Sequence, residues 1–202
     1  MSDLTKSSKK NGLQLIFLLF IGLVLGLIFL FALPPWQHYD EPNHFEYVWL
    51  AANQNHLPRP GDYNRELSQQ VMKSMGRNRF WGEKIELTYP PEEKVVIQGY
   101  SQLHEPPFYY LAASIPLRFL RQQPVEIQLY AARLVSLIFF LITIFAAWAT
   151  AKELTPEGKL LHWLLPLSII FLPAFTDLMT AVNSDAAAVA VASLFIWLSV
   201  RM

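Results

Sequence analysis

Two adjacent carboxylates, Asp40 and Glu41, stand in the run HYDEPNHFEY (residues 38–47), with His38 and His44 on either side. A carboxylate so placed can take a proton from an attacking hydroxyl, or hold a divalent cation together with His38 or His44, with Asp40 and His44 the first candidates. The same acids also suit a helix start, where aspartate caps free amides and glutamate meets the positive end of the dipole. Sequence alone leaves both readings open. A second run, HEPPFYY (residues 104–110), offers His104 and Tyr109 as ligand-binding groups, although interfacial anchoring also explains its tyrosines. A third, VNSDAAA (residues 182–188), supplies Asp185, with Asp177 as a rival and helix capping as the plain alternative. Finally, Arg133 lies in an apolar stretch, where a guanidinium needs a phosphate or carboxylate partner unless it snorkels to the surface.

Apolar helices must position these groups. Residues 13–33, LQLIFLLFIGLVLGLIFLFAL, form an apolar run of about 21 residues, enough for the roughly 30 Å hydrocarbon core. The run ends in Pro34, Pro35 and Trp36 rather than a small-residue cleavage site, so it reads as a retained anchor. Residues 1–12 carry Lys6, Lys9 and Lys10, which predicts a cytoplasmic N-terminus and an extracytoplasmic loop over 34–127. Within that loop, Phe45, Val48, Trp49 and Ala52 recur at helical spacing and predict a short amphipathic helix on the bilayer surface. KVVIQ, between prolines and Gly99, suggests a short strand or hairpin in residues 83–99. Residues 107–120 are apolar but cut by Pro116, which suits an interfacial or re-entrant helix. Residues 128–202 then hold three further spans, with Lys152 and Lys159 marking a cytoplasmic return and Pro166 and Pro173 accommodated within the third. The expected fold class is α-helical transmembrane, with about four membrane-spanning helices and a long outer loop carrying interfacial helices.

Composition agrees with lipid contact and removes several classes of chemistry. Of 202 residues, 53% are hydrophobic and 16% charged, with the charges gathered mostly near the N-terminus and between Asp40 and Arg121. A formal net charge of zero provides no basic field for nucleic acid. Cysteine is absent, which excludes thiolate chemistry and leaves any metal to histidine and carboxylates. No acid falls at the middle of a span, as ion-coupled transport usually requires.

Taken in order, a first span, DEPNHFEY, HEPPFYY, a span opening with Arg133 and NSD before a later span resemble the GT-C superfamily of membrane glycosyltransferases. The likeness is to the bacterial branch related to protein O-mannosyltransferases and lipid A aminoarabinose transferases, and it covers nearly all of the chain. It implies transfer of a sugar from a polyprenyl-phosphate carrier to an acceptor at the outer membrane face, with inversion. Asp40, with Glu41 beside it, matches the family's first-loop acid, Asp185 the second acid, and Pro106, Pro107, Phe108 and Tyr109 the Pro-Pro-aromatic-Tyr element. The candidate catalytic residues are thus Asp40, Glu41 and Asp185, and the candidate substrate-binding residues His44, His104, Tyr109 and Arg133. Family members carry more spans, so the chain corresponds to the N-terminal part of such an enzyme, with the remaining helices expected from a longer gene or a second chain. The competing expectation is a non-catalytic membrane scaffold or assembly subunit, in which the same acids are caps and the loop docks a partner.

Overall fold

The computed structural model describes residues 2–155 and 160–202, with side chains from residue 11 onward, so Lys159 lies outside the described residues. Its elements are α1 (Ser2–Ala32), α2 (Glu41–Asn53), α3 (Arg65–Arg77), α4 (Phe108–Phe119), α5 (Val125–Leu154), α6 (Leu161–Ile170), α7 (Pro173–Thr180) and α8 (Asp185–Arg201). No strand occurs among the described residues; the segment around KVVIQ runs extended, tied at Val95 O by the Tyr63 hydroxyl (2.8 Å) and at Gln98 O by Asn43 Nδ2 (3.0 Å). The strand expected there has no neighbouring strand to complete a ladder, so its backbone groups bond to side chains instead.

Helix α5 is the axis of the molecule, contacting α1, α4, α6, α7 and α8 along its length. Gly22 and Gly26 put a bare stripe on α1, and a Cβ at either would strike Ile144 or Leu137 of α5. Small residues four apart let apolar helices approach closely where no hydrophobic effect drives them together. Only 22% of the apolar part of α1 (Asn11–Ala32) is buried, against 61% for α5. The outward face of α1 is Leu13, Phe17, Phe20, Ile28 and Phe31, with no polar stripe to suit water.

Two helices, α1 and α5, are long and apolar enough to cross a membrane, and a third span exists if α6 and α7 are one broken crossing. The single third span expected from residue 160 onward is bent by 64° where Pro173 removes an amide at the start of α7. Pro166, in contrast, is carried inside α6. Helix α8 covers about 25 Å in 17 residues. The described helices thus provide two spans, or three with the broken pair.

The surface helix expected after residue 40 is in fact an interior one. Of the 13 residues of α2, 11 are buried, including Asn43, His44 and Glu46 on the side expected to face water. Helix α4 and the extended segment near Gln98 cover that side.

Candidate functional site

Glu41 and Arg133 meet at the end of the bundle where α1 stops. Pro34 has no amide to offer the carbonyl of Leu30, so the last turn of α1 keeps an orphan acceptor. Arg133 answers it from α5: Nη1 donates to Leu30 O (2.8 Å) and Leu33 O (2.9 Å), and Nη2 to Pro34 O (3.1 Å). Nε donates to Glu41 Oε1 (2.8 Å) and Nη2 also to Glu41 Oε2 (2.6 Å). A guanidinium has five N–H donors, and these contacts occupy all of them. Glu41 additionally accepts from Trp36 N (3.1 Å) and Val182 N (3.3 Å), and both charged side chains are fully buried.

This geometry revises two expectations. Arg133 has no donor left for a phosphate, and Glu41 has no exposed oxygen to offer a substrate. The pair is an internal clamp joining the end of α1, the start of α2, α5 and the turn before α8. Tyr109 belongs to the same framework, its buried hydroxyl meeting Ser136 Oγ (2.8 Å) and accepting from Asn183 N (3.1 Å). It holds the α8 turn and also lines the groove beside Asp185.

Asp40 behaves differently from the helix cap that its sequence also allowed. It adopts a left-handed conformation (φ 51°), and its carbonyl accepts from Asn43 N and His44 N while its carboxylate makes no capping bond. Freed from capping, Asp40 lines a cavity of about 330 Å³ with Trp36, Gln37, His38, Asn43 and Phe80. Trp36 is also left-handed (φ 73°), so the turn that shapes this cavity holds two non-glycine residues in a costly conformation.

Asp185 lies in a second recess. It is exposed in the first turn of α8, whose free amide at Asp185 is capped by Asn183 Oδ1. A groove of about 510 Å³ runs past Asp185 and Glu105 onto Phe108, Ala188 and Val191. Glu105, between His104 and the proline pair, is a further acid of this groove, and its sequence signal is an acid directly before a proline-initiated helix. His104 itself is exposed beside Glu105 (3.7 Å) and is not brought to either recess.

Between the recesses stands His44, buried, with Nδ1 2.8 Å from the Tyr110 hydroxyl and its ring stacked on that tyrosine. Burial lowers its pKa, while Asp40, Asp185, Glu105 and Glu41 all pull it upward. Asp40 and Asp185 therefore act on one histidine from two sides without sharing a pocket. The Tyr110 hydroxyl engages His44 Nδ1 and leaves Nε2 as the nitrogen with which this histidine could join Asp40 at a metal; no group of three or more acids or histidines suited to a metal occurs among the described residues.

Glu46 is a further buried acid, 9% exposed, and no donor among the described residues meets its carboxyl. Burial pushes its pKa up from 4.5 to about 7. The folded state thus binds this proton more tightly than the unfolded chain, so the contribution of Glu46 to stability is greatest below pH 4.5 and falls as pH rises towards 7. The span amounts to about 3 kcal/mol at most. In thermal unfolding in micelles from pH 5 to 8, the native protein should lose stability relative to Glu46→Gln as pH rises, and the variant should be the more stable of the two at pH 8.

No protein-family model matches this chain, and neither curated proteins nor solved structures show a match to it.

Proposed function

We propose that the chain carries the catalytic end of a membrane glycosyltransferase, moving a sugar from a polyprenyl-phosphate carrier to an acceptor at the extracytoplasmic face. The observation that carries this reading is Asp40, an uncapped carboxylate on a sugar-sized cavity, a few residues beyond the end of an apolar helix. Asp40 is the proton-accepting group of the proposal. The neighbouring groove supports the lipid-linked donor: Phe108 and Val191 are 59% and 51% exposed, giving a polyprenyl chain an apolar wall. Glu105 and Asp185 at the polar part of that groove would repel a bare phosphate. Two carboxylates plus a substrate phosphate are, however, the usual way in which Mg²⁺ is held, so these acids are a second candidate pair for a divalent ion beside Asp40 and His44. Such an ion would neutralise the phosphate when bound.

The clamp of Glu41 and Arg133 serves the reaction by fixing geometry. It ties the start of α2, which carries Asp40, to the turn before α8, which carries Asp185. Positioning of this kind accounts for much of a catalyst's advantage. The test is transfer itself: protein reconstituted in vesicles with a radiolabelled polyprenyl-phosphate sugar should release the label from the lipid, dependent on Asp40. Absence of release across a panel of donors, from folded protein, would leave the scaffold reading in its place.

A further inference from the structure

We propose that the cavity beside the α2 N-terminus binds a neutral polyhydroxylated ring, and that His38, held by Asp177, is the acceptor that fixes one of its hydroxyls. His38 is 4% exposed, yet neither ring nitrogen has an aligned hydrogen bond within the protein. Nδ1 does lie 2.8 Å from Asp177 Oδ1, too far off line for a good hydrogen bond but close enough to hold the imidazole and to favour a proton on Nδ1. Nε2 then keeps its lone pair. Burial lowers the pKa of His38 and so maintains the neutral form in which Nε2 accepts. A buried polar atom without a partner is costly, which points to a ligand group as the partner of this nitrogen.

The remaining walls say what kind of molecule would satisfy it. Three amides line the cavity: Gln37 Nε2 donates to Arg79 O (3.2 Å) and Asn43 Nδ2 to Gln98 O (3.0 Å), while Gln98 Oε1 accepts from Trp81 and its Nε2 has no partner among the described residues. The wall thus sets two acceptors, the Asp40 carboxylate and His38 Nε2, beside an amide donor. A matching ligand must therefore carry groups that both donate and accept, as hydroxyls do. Phe80, half-buried at the wall, supplies apolar surface for the C–H face of such a ring, with the buried Trp36 behind the turn. Asp40 is the one formally charged residue among those lining the cavity, which disfavours phosphates and other anions. A volume of about 330 Å³ is at the small end of ligand pockets, roughly 300–1,000 Å³, and suits one monosaccharide. That this ring bears the accepting hydroxyl rests on the transfer proposed above; that the cavity binds it does not.

The experiment is saturation-transfer NMR on the protein in lipid nanodiscs, free of glycoside detergents, with methyl α-D-glucopyranoside and methyl α-D-mannopyranoside as probes. At least one probe should receive saturation at its ring protons. His38→Leu should weaken binding by about tenfold or more, the effect of one lost hydrogen bond at a buried site. His38→Gln, which retains an acceptor and guards against misfolding as the cause, should stay within about threefold of the native protein. Lack of transfer to either glycoside from folded protein would overturn the inference, as would equal binding by His38→Leu. Competition by ethanolamine at the same residue would overturn it too, by assigning the acceptors to an ammonium. Glycoside binding without sugar transfer would retain this site and remove the transferase reading; sugar transfer without His38-dependent binding would do the reverse.

Discussion

Arg133→Ala is expected to destabilise the fold by about 3–5 kcal/mol, enough to abolish a monodisperse protein in micelles or to lower its unfolding temperature by many degrees. The reason is what the substitution leaves behind. Glu41 would be a buried, unpaired carboxylate, and the carbonyls of Leu30 and Leu33 would lose their donors at the end of α1. Arg133→Lys should recover little, because an ammonium has three donors at one point where the guanidinium spreads five across two chain segments. Glu41→Gln should fall between, since its amide keeps shape but leaves Arg133 without a counter-charge. A double replacement, Glu41→Leu with Arg133→Met, should recover much of the loss, as apolar groups of similar size often substitute for a buried pair. Thermal unfolding followed by fluorescence-detected size exclusion ranks these variants. A phosphate-binding role for Arg133 predicts instead a stable Arg133→Ala protein that has lost only activity.

Asp40→Asn should leave the fold unchanged and reduce sugar transfer by about 10²–10⁴-fold, the usual contribution of a positioned proton acceptor. Asparagine is well suited to the test because, like aspartate, it tolerates the left-handed conformation that Asp40 adopts. The carboxylate makes no capping bond, so its removal takes nothing from α2. Asp40→Ala would confuse the outcome, since a left-handed alanine adds strain of about 1 kcal/mol or more. Transfer measured with a labelled polyprenyl-phosphate sugar should collapse in Asp40→Asn while unfolding temperature holds. Undiminished transfer would remove Asp40 from the chemistry.

Local rules made much of the architecture legible. Pro34 and Pro35 ended α1, the Pro106–Pro107 pair opened α4, and the apolar stretch around Arg133 gave α5. The need of Arg133 for a partner was also readable, since an intramembrane guanidinium is not left alone. Which partner it takes was not, because Glu41 lies 92 residues away and nothing local links the two. The interior position of α2 was hidden for a related reason: Asn43, His44 and Glu46 look like a solvated face until the Gln98 segment and α4 cover them. The break between α6 and α7 was signalled by Pro173, but a proline in an apolar run is either absorbed, as Pro166 is, or ends the helix, and packing decides. The dyad of His38 and Asp177 joins a loop to a helix 139 positions later and has no sequence signature beyond a histidine beside the acidic pair.

The central claim is that the turn bearing Asp40 and the turn bearing Asp185 open to one aqueous face at one end of the bundle. Because the chain contains no cysteine, single cysteines can be introduced without altering a background. Tyr39→Cys and Ala188→Cys, both at exposed positions, should be modified by a membrane-impermeant maleimide from the same side of sealed vesicles, the side opposite to a cysteine placed before residue 11. Modification of the two from opposite sides would contradict the account and, with it, the shared reaction proposed for this end of the molecule.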